Sequence, residues 1–283
     1  MSQERRPRTD LVEDDPFARA VRPTSHSGAR DDGQWRNPSS GPRVVQVQFS
    51  PFTRGFTQSY YSPPTLHKGS FWHFSEIELR DLALSLAAFS LGLSFVFNGG
   101  VLGGMLSRGP TLLVSIPLFF ILATIAFGPA FIIHELAHKY VARHYGCWSE
   151  FRADPGGLKT GVMIAFFIGF LFMAPGAVMV AGNVTREQNG KIALAGPLSN
   201  LILWLMAIPA YMLFGGLGWL GLTIYYWLVA NAILGAFNML PFGPLDGKKI
   251  KTWSEPIFWG FLSIFLTIVY VTLFKQSMIL SLI

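Results

Sequence analysis

Long apolar segments separated by short polar connections dominate the chain from about residue 75 onward. The first covers about 81–98 and follows Ser75-Glu76-Ile77-Glu78, which has the pattern of a helix cap with early acids. The glycines of 99–104 then predict a loop. A second apolar segment, about 111–145, is longer than one bilayer crossing requires and predicts a tilted, kinked helix. Further apolar segments cover about 161–182, 192–214, 218–240 and 256–274.

Residues 1–70 differ from the rest of the chain, because they are rich in Arg, Pro, Ser, Asp and Gly and show no sustained periodicity. Such a segment buries too little apolar surface to offset the entropy of ordering, so we predict a disordered tail over 1–70. It has no apolar core near its start, so it is not a cleavable signal peptide. Residues 71–283 are predicted to form one membrane-embedded domain.

The composition excludes several classes of protein. Hydrophobic residues make up 51% of the chain and charged residues only 13%, whereas soluble proteins are about one quarter charged. The net charge is +6, but the chain has no cluster of basic residues interleaved with aromatic residues, so nucleic acid is not an expected partner. A single cysteine, Cys147, rules out an intrachain disulfide. The sequence predicts an all-α polytopic membrane protein whose surroundings are a lipid bilayer.

The strongest chemical signal is His134-Glu135-Leu136-Ala137-His138, an H-E-x-x-H pattern within the second apolar segment. On a helix, His134 and His138 project from one face and can share one zinc ion. Glu135 lies beside them, where it could act as general base on a water activated by the ion. Ionisable groups at this depth are costly, about 2.5–3.5 kcal/mol each on insertion scales, and are functional by default. The alternative is a histidine pair near the membrane interface without a metal.

A third protein ligand is expected, because catalytic zinc sites usually have three and an open position. Of the acidic residues after 145, only Asp246 follows directly on an apolar span, in the stretch Asn238 to Gly247. Two prolines and two glycines there exclude a regular helix, and irregular backbone at membrane depth is tolerated only where it is buried or lines a cavity. Asp246 is therefore the candidate ligand. A plain surface turn is the alternative.

These motifs resemble those of the site-2 protease family of intramembrane zinc metalloproteases. The order is His134-Glu135-x-x-His138, then Ala195-Gly196-Pro197-Leu198-Ser199-Asn200, then Asn238 through Gly247, and the resemblance covers about residues 75–275. It implies one zinc ion per chain, held by His134, His138 and Asp246. It also implies that Glu135 is the general base and that Asn238 stabilises the oxyanion, a role that suits an amide donor. We interpret Gly196, Pro197 and Asn200 as packing around the site, not as ligands.

Topology provides a test of the ligand set. The histidines lie near the end of their helix, so Asp246 must emerge on the same side of the membrane. The 161–182 segment should therefore enter and return, with a bend near 174–176, as a re-entrant element or strand pair; the family's membrane-embedded β-hairpin agrees. The chain then has about five transmembrane helices. Eleven Lys and Arg side chains face one side, against Arg108 and Lys275 on the other, which predicts a cytosolic N-terminus and a site opening to the cytosol.

The predicted function is intramembrane proteolysis: a zinc endopeptidase that cleaves in or near transmembrane segments of other proteins, as the resemblance implies. A non-catalytic membrane chaperone or receptor with the same fold is the alternative, although such proteins typically lose the glutamate or a ligand. A prenyl-protein-type protease would use a glutamate ligand, but Glu187 and Glu255 lie in polar loops. A serine intramembrane protease would need a Ser/His pair in facing spans, but the only histidines in spans are His134 and His138. A metal transporter would show polar residues through several spans, whereas here they cluster at one depth.

Overall fold

The computed structural model describes residues 73–275 apart from Ala174, so the predicted tail over 1–70 lies outside the described residues. Two strands, β1 (Trp148–Ala153) and β2 (Gly176–Ala181), form one small antiparallel sheet. The helices are α1 (Glu76–Phe97), α2 (Gly100–Arg108), α3 (Leu112–His144), α4 (Pro155–Ile168), α5 (Arg186–Phe214), α6 (Gly218–Asn238), α7 (Asp246–Trp253) and α8 (Glu255–Phe274).

Five helices of the described part are long and apolar enough to cross a bilayer: α1, α3 with its preceding turn, α5, α6 and α8. This confirms the predicted class, a mainly helical multi-pass membrane protein. The 33 residues of α3 correspond to about 50 Å of helix, well beyond the ~30 Å of a hydrocarbon core. Its last turns therefore extend past the apolar layer.

The helix starts follow their sequence signals. The Ser75 hydroxyl oxygen accepts a hydrogen bond from the Glu78 backbone N–H at 3.1 Å, as the capping pattern predicts. Thr185 and Gln188 form a reciprocal capping box at the start of α5. Asp154 caps α4, whose first residue is a proline.

The segment after α3 returns to the side from which it leaves. Helix α4 has 14 residues, too few to cross, and the register of the sheet pairs Trp148 with Ala181 and Ala153 with Gly176. Because the two ends of the segment are hydrogen-bonded neighbours, they lie at the same level of the protein. The predicted even parity of the topology is therefore confirmed, and α5 begins on the side where α3 ends.

The structure decides between the alternatives left open for 161–182, and it differs from one local expectation. Helix α4 ends with Gly169 as its C-cap, and β2 pairs with 148–153, which lies outside 161–182. Residues 99–104, expected as a loop, include the first half of α2. Gly99, Gly100 and Gly169 all have left-handed φ angles, and their backbones approach so closely that a Cβ on Gly169 would clash with Gly99. Two chain reversals packed backbone to backbone require glycine, and neighbouring sequence alone does not reveal that contact.

The core places α3 at the centre of the bundle. One cluster joins α5, α6 and α8 around Leu228, Met239, Phe258 and Phe265. A second joins α1, α3 and α6 and includes Phe127. Helix α3 is thus packed by α1 on one side and by α5 and α6 on the other, so one face of its second half is enclosed by protein.

Candidate metal centre

Two imidazoles and one carboxylate converge inside the bundle. The Nε2 atoms of His134 and His138 lie 3.1 Å apart. The Oδ2 atom of Asp246 lies 3.3 Å from the first and 3.1 Å from the second. The histidines are one turn apart on α3, and Asp246 is the first residue of α7, delivered by the irregular stretch after α6. All three side chains are buried, so the structure brings together the three residues that the sequence suggested as ligands.

The spacing of these atoms suits zinc. Ligands about 2.0–2.1 Å from a tetrahedral ion are about 3.3–3.4 Å from one another. The three observed separations, 3.1 to 3.3 Å, are close to that value. Among the described residues, this is the one group of His, Cys, Asp or Glu side chains arranged to hold a metal ion. Three protein donors leave a fourth position for a reactant, as in catalytic sites.

A positive charge near Asp246 favours its ionised form. The Lys249 ammonium lies 3.8 Å from Oδ1 of this carboxyl, and a nearby positive charge stabilises a carboxylate. A metal-binding carboxyl has to be deprotonated. The environment of Asp246 therefore meets that requirement.

Each imidazole is oriented through its Nδ1 atom. Nδ1 of His138 lies 2.7 Å from the Ile192 carbonyl oxygen, which can only accept. Nδ1 of His134 lies 2.6 Å from Oδ1 of Asn200. With the proton on Nδ1 in both rings, both Nε2 lone pairs point at the shared position.

The contacts of Asn200 and Gly196 agree with their interpretation as packing around the site, whereas sequence reasoning missed Asn231. Asn200, interpreted as packing, contacts His134 directly, and Asn231 of α6 in turn contacts Asn200 at 3.0 Å. Gly196, interpreted in the same way, lies against both rings, because a Cβ built on it would collide with His134 and His138. The available sequence signal was the presence of asparagines within apolar spans, because an amide in a membrane-spanning helix is costly without a hydrogen-bond partner. The structure shows both asparagines fully buried.

Glu135 lies beside the histidines, and its side chain is largely buried. The Val178 backbone of β2 lies next to its carboxylate. The other strand of the sheet is held by α1: the Phe151 and Ala153 N–H groups donate to Glu78 and Asp81 at 3.1 and 3.2 Å. The sheet is therefore fixed between α1 and the glutamate, with the outer edge of β2 toward Glu135.

A buried ion pair lies one residue past His138. Lys139 pairs with Glu78, and both side chains are fully buried. The Lys139 ammonium also donates to the His73 carbonyl oxygen at 2.9 Å and lies 3.7 Å from the centre of the Phe74 ring. These contacts tie the start of α1 to the turn of α3 that carries the histidines.

Asn238, the predicted oxyanion donor, ends α6 eight residues before Asp246 and is half-buried. In this structure its side-chain amide donates to the Leu234 carbonyl oxygen of its own helix at 3.0 Å. This hydrogen bond is the one expected of an asparagine at a helix end, and the oxyanion role of Asn238 stays a prediction.

Several known proteins resemble this chain over 42 to 68% of its length. A candidate zinc metalloprotease of Methanocaldococcus jannaschii is 39% identical over 199 residues, which cover 68% of this chain and 91% of the relative. A second protein of that organism, named as a zinc metalloprotease, is 28% identical over 42% of this chain and 30% of its own length. A candidate zinc metalloprotease of Bacillus subtilis is 30% identical over 43% of this chain and 63% of its own length.

No family model matches the chain, and no solved structure matches it. The relatives' names and the His-His-Asp group together confirm the predicted cofactor, one zinc ion per chain.

Proposed function

Because the chain belongs to a family of zinc metalloproteases, in agreement with its resemblance to site-2 proteases, we propose that it is an intramembrane endopeptidase. It hydrolyses peptide bonds in or near transmembrane segments of other proteins. One observation carries the proposal: His134, His138 and Asp246 converge as a buried donor set between helices long enough to span a bilayer. A metalloprotease site enclosed by spans has membrane proteins as its natural substrates.

We infer that the ion is held by Nε2 of His134, Nε2 of His138 and Oδ2 of Asp246. When bound, zinc supplies Lewis acidity, which activates water near neutral pH and polarises a peptide carbonyl. Glu135 takes the proton of the attacking water and delivers it to the departing amine. The Val178 backbone of β2 lies next to its carboxylate, on the side toward the sheet.

Asn238 is proposed to donate to the oxyanion that develops on the peptide carbonyl. Its amide would have to leave the Leu234 carbonyl oxygen and turn toward the substrate. Asn238 lies in the last turn of α6, next to the irregular stretch. Such a rotation breaks one side-chain hydrogen bond and leaves the backbone hydrogen bonds of the helix intact.

The substrate must be locally unwound, because a helical peptide bond has its carbonyl hydrogen-bonded and shielded. The sheet suits an extended segment. The outer edge of β1 is occupied by Glu78 and Asp81, whereas the outer edge of β2 lies toward Glu135. An extended substrate placed along β2 would bring its backbone beside the general base.

We also propose that the site opens to the cytosol and that the N-terminus lies there. The histidines lie in the last turns of α3, and Asp246 begins α7. Basic residues concentrate nearby, including Arg143, Lys248 and Lys251. By the positive-inside rule, that side is cytosolic. Cleavage near this face would release the cytosolic part of a membrane-anchored protein, which is the basis of regulated intramembrane proteolysis.

The experiment compares membrane-proteome cleavage products in cells that express the chain or its Glu135→Gln form. New termini within transmembrane segments, present only with the unaltered chain, are expected. Identical termini in both cell populations would contradict the proposed protease and favour a non-catalytic membrane protein with this fold.

A further inference from the structure

Two asparagines are fully buried within the membrane-spanning helices, Asn200 on α5 and Asn231 on α6. Buried amides in apolar spans are costly unless each polar atom finds a partner. Neither residue is a candidate metal ligand. Their contacts nevertheless form a continuous path to His134.

Each hydrogen bond along this path has a fixed donor and a fixed acceptor. The Asn200 amide donates to the Ala130 carbonyl oxygen at 3.2 Å and to Oδ1 of Asn231 at 3.0 Å. The Asn231 amide donates to the Trp227 carbonyl oxygen at 2.9 Å. Main-chain carbonyls cannot donate, so reversing either amide would set acceptor against acceptor and donor against donor.

This orientation determines the protonation of His134. With both Asn200 amide hydrogens committed to oxygens, its Oδ1 is the atom that faces Nδ1 of His134 at 2.6 Å. Nδ1 must then carry the proton, which leaves the Nε2 lone pair for the ion. A reversed Asn200 would favour the opposite tautomer, with a proton on Nε2 where the metal should bind.

We propose that Asn231 is a positioning residue for the metal centre: acting through Asn200, it selects the tautomer of His134 that can bind zinc. His138 needs no such relay, since the Ile192 carbonyl oxygen orients it directly. The inference rests on His134 as a zinc ligand, which is part of the proposed function. The relay connects α6 to His134. The end of α6 also leads to Asp246, so the same helix influences two of the three proposed ligands.

The test measures the zinc dissociation constant of the purified full chain by competition with a chromogenic chelator. Asn231→Leu removes the acceptor for Asn200 and should weaken zinc binding by about 10-fold or more, as outer-shell losses do. Asn231→Asp is the rescue variant: its buried carboxyl, kept protonated by the apolar surroundings, can still accept from Asn200 and donate to Trp227. It should bind zinc close to the unaltered chain.

The matched control is Thr272→Val, which removes another buried hydrogen bond of the bundle, from Trp204 Nε1 to Thr272 Oγ1 at 3.0 Å. It should leave zinc affinity unchanged. Unaltered zinc affinity in Asn231→Leu would overturn the relay. So would a loss of affinity in Asn231→Asp or in Thr272→Val as large as the loss in Asn231→Leu. If His134→Ala bound zinc normally, the ligand assignment itself would fail, and that result is distinct from a failure of the relay.

Discussion

Gly196 on α5 lies so close to His134 on α3 that a Cβ built on the glycine would collide with the imidazole. The same Cβ would meet Nε2 of His138. These nitrogens are the atoms that point at the proposed ion. Helix α5 thus supplies a flat backbone surface against which both rings rest, and only a residue without a side chain provides it.

Gly196→Ala should therefore weaken zinc binding by at least about 10-fold, because the new methyl group displaces the rings from their shared position. Chelator competition measures the affinity. Gly260→Ala is the control, since a Cβ at Gly260 of α8 has no neighbour within 4 Å. Equal zinc affinity in the two variants would show that the rings tolerate a side chain at position 196.

Glu135→Gln should retain zinc and lose cleavage by about 10²–10⁴-fold, the range for a positioned general base. The amide is the same size but cannot take a proton from water. The measurement is cleavage of a co-expressed single-span reporter, with zinc content determined in parallel. Glu187→Gln changes an exposed glutamate of α5 that pairs with Lys191 and should cleave normally. Normal cleavage by Glu135→Gln would remove the glutamate from the mechanism.

Asp246→Ala should reduce zinc occupancy, because two imidazoles alone form an incomplete site. Metal analysis of the purified chain measures occupancy directly, and chelation of the unaltered chain should abolish its peptidase activity reversibly. Glu255→Ala, an exposed acid near the start of α8, serves as the control. Unchanged occupancy in Asp246→Ala would dismiss the aspartate as a ligand.

Glu78→Gln should destabilise the protein by about 3–5 kcal/mol, since it leaves the buried Lys139 ammonium without its counter-charge. Combining it with Lys139→Met should recover much of that loss. Thermal unfolding in detergent or nanodiscs measures both. Arg80→Gln, at an exposed arginine whose partner Asp81 is 3.7 Å away, should cost at most about 1 kcal/mol. A Glu78→Gln variant as stable as Arg80→Gln would mean that the ion pair contributes little.

The proposed orientation can be tested by labelling. In a Cys147→Ala background, Gly216→Cys places a single thiol just before α6, and Lys248→Cys places one in α7, beyond the other end of α6. Cys147 is buried, and burial raises the pKa of its thiol, so its removal mainly simplifies the background. A membrane-impermeant maleimide should reach position 248 only from the cytosol and position 216 only from outside. The reverse pattern would invert the proposed topology.

Local patterns were sufficient for the spans and for part of the site. Hydrophobic segments of bilayer length predicted the five long helices, because lipid admits few alternatives to a continuous apolar helix. The i, i+4 spacing predicted that His134 and His138 share a face. Asp246 needed a further argument from topology, and the pairing of β1 with β2 satisfies the parity which that argument required.

Long-range contacts decided the rest. The turn at Gly169 depends on a close backbone approach to Gly99 and Gly100. The strand that pairs with β2 is β1, which is separated from it in the sequence by the whole of α4. Asn200 and Asn231 are ordinary polar residues within two apolar helices until the bundle brings them together.

The amino-acid sequence by itself determined where the chain crosses the membrane and which residue types could bind a metal, because both follow from periodicity and side-chain chemistry. The tertiary structure alone decided which amides, carbonyls and glycine surround the imidazoles. Those contacts join residues on different helices, whose distances depend on how α3, α5 and α6 pack.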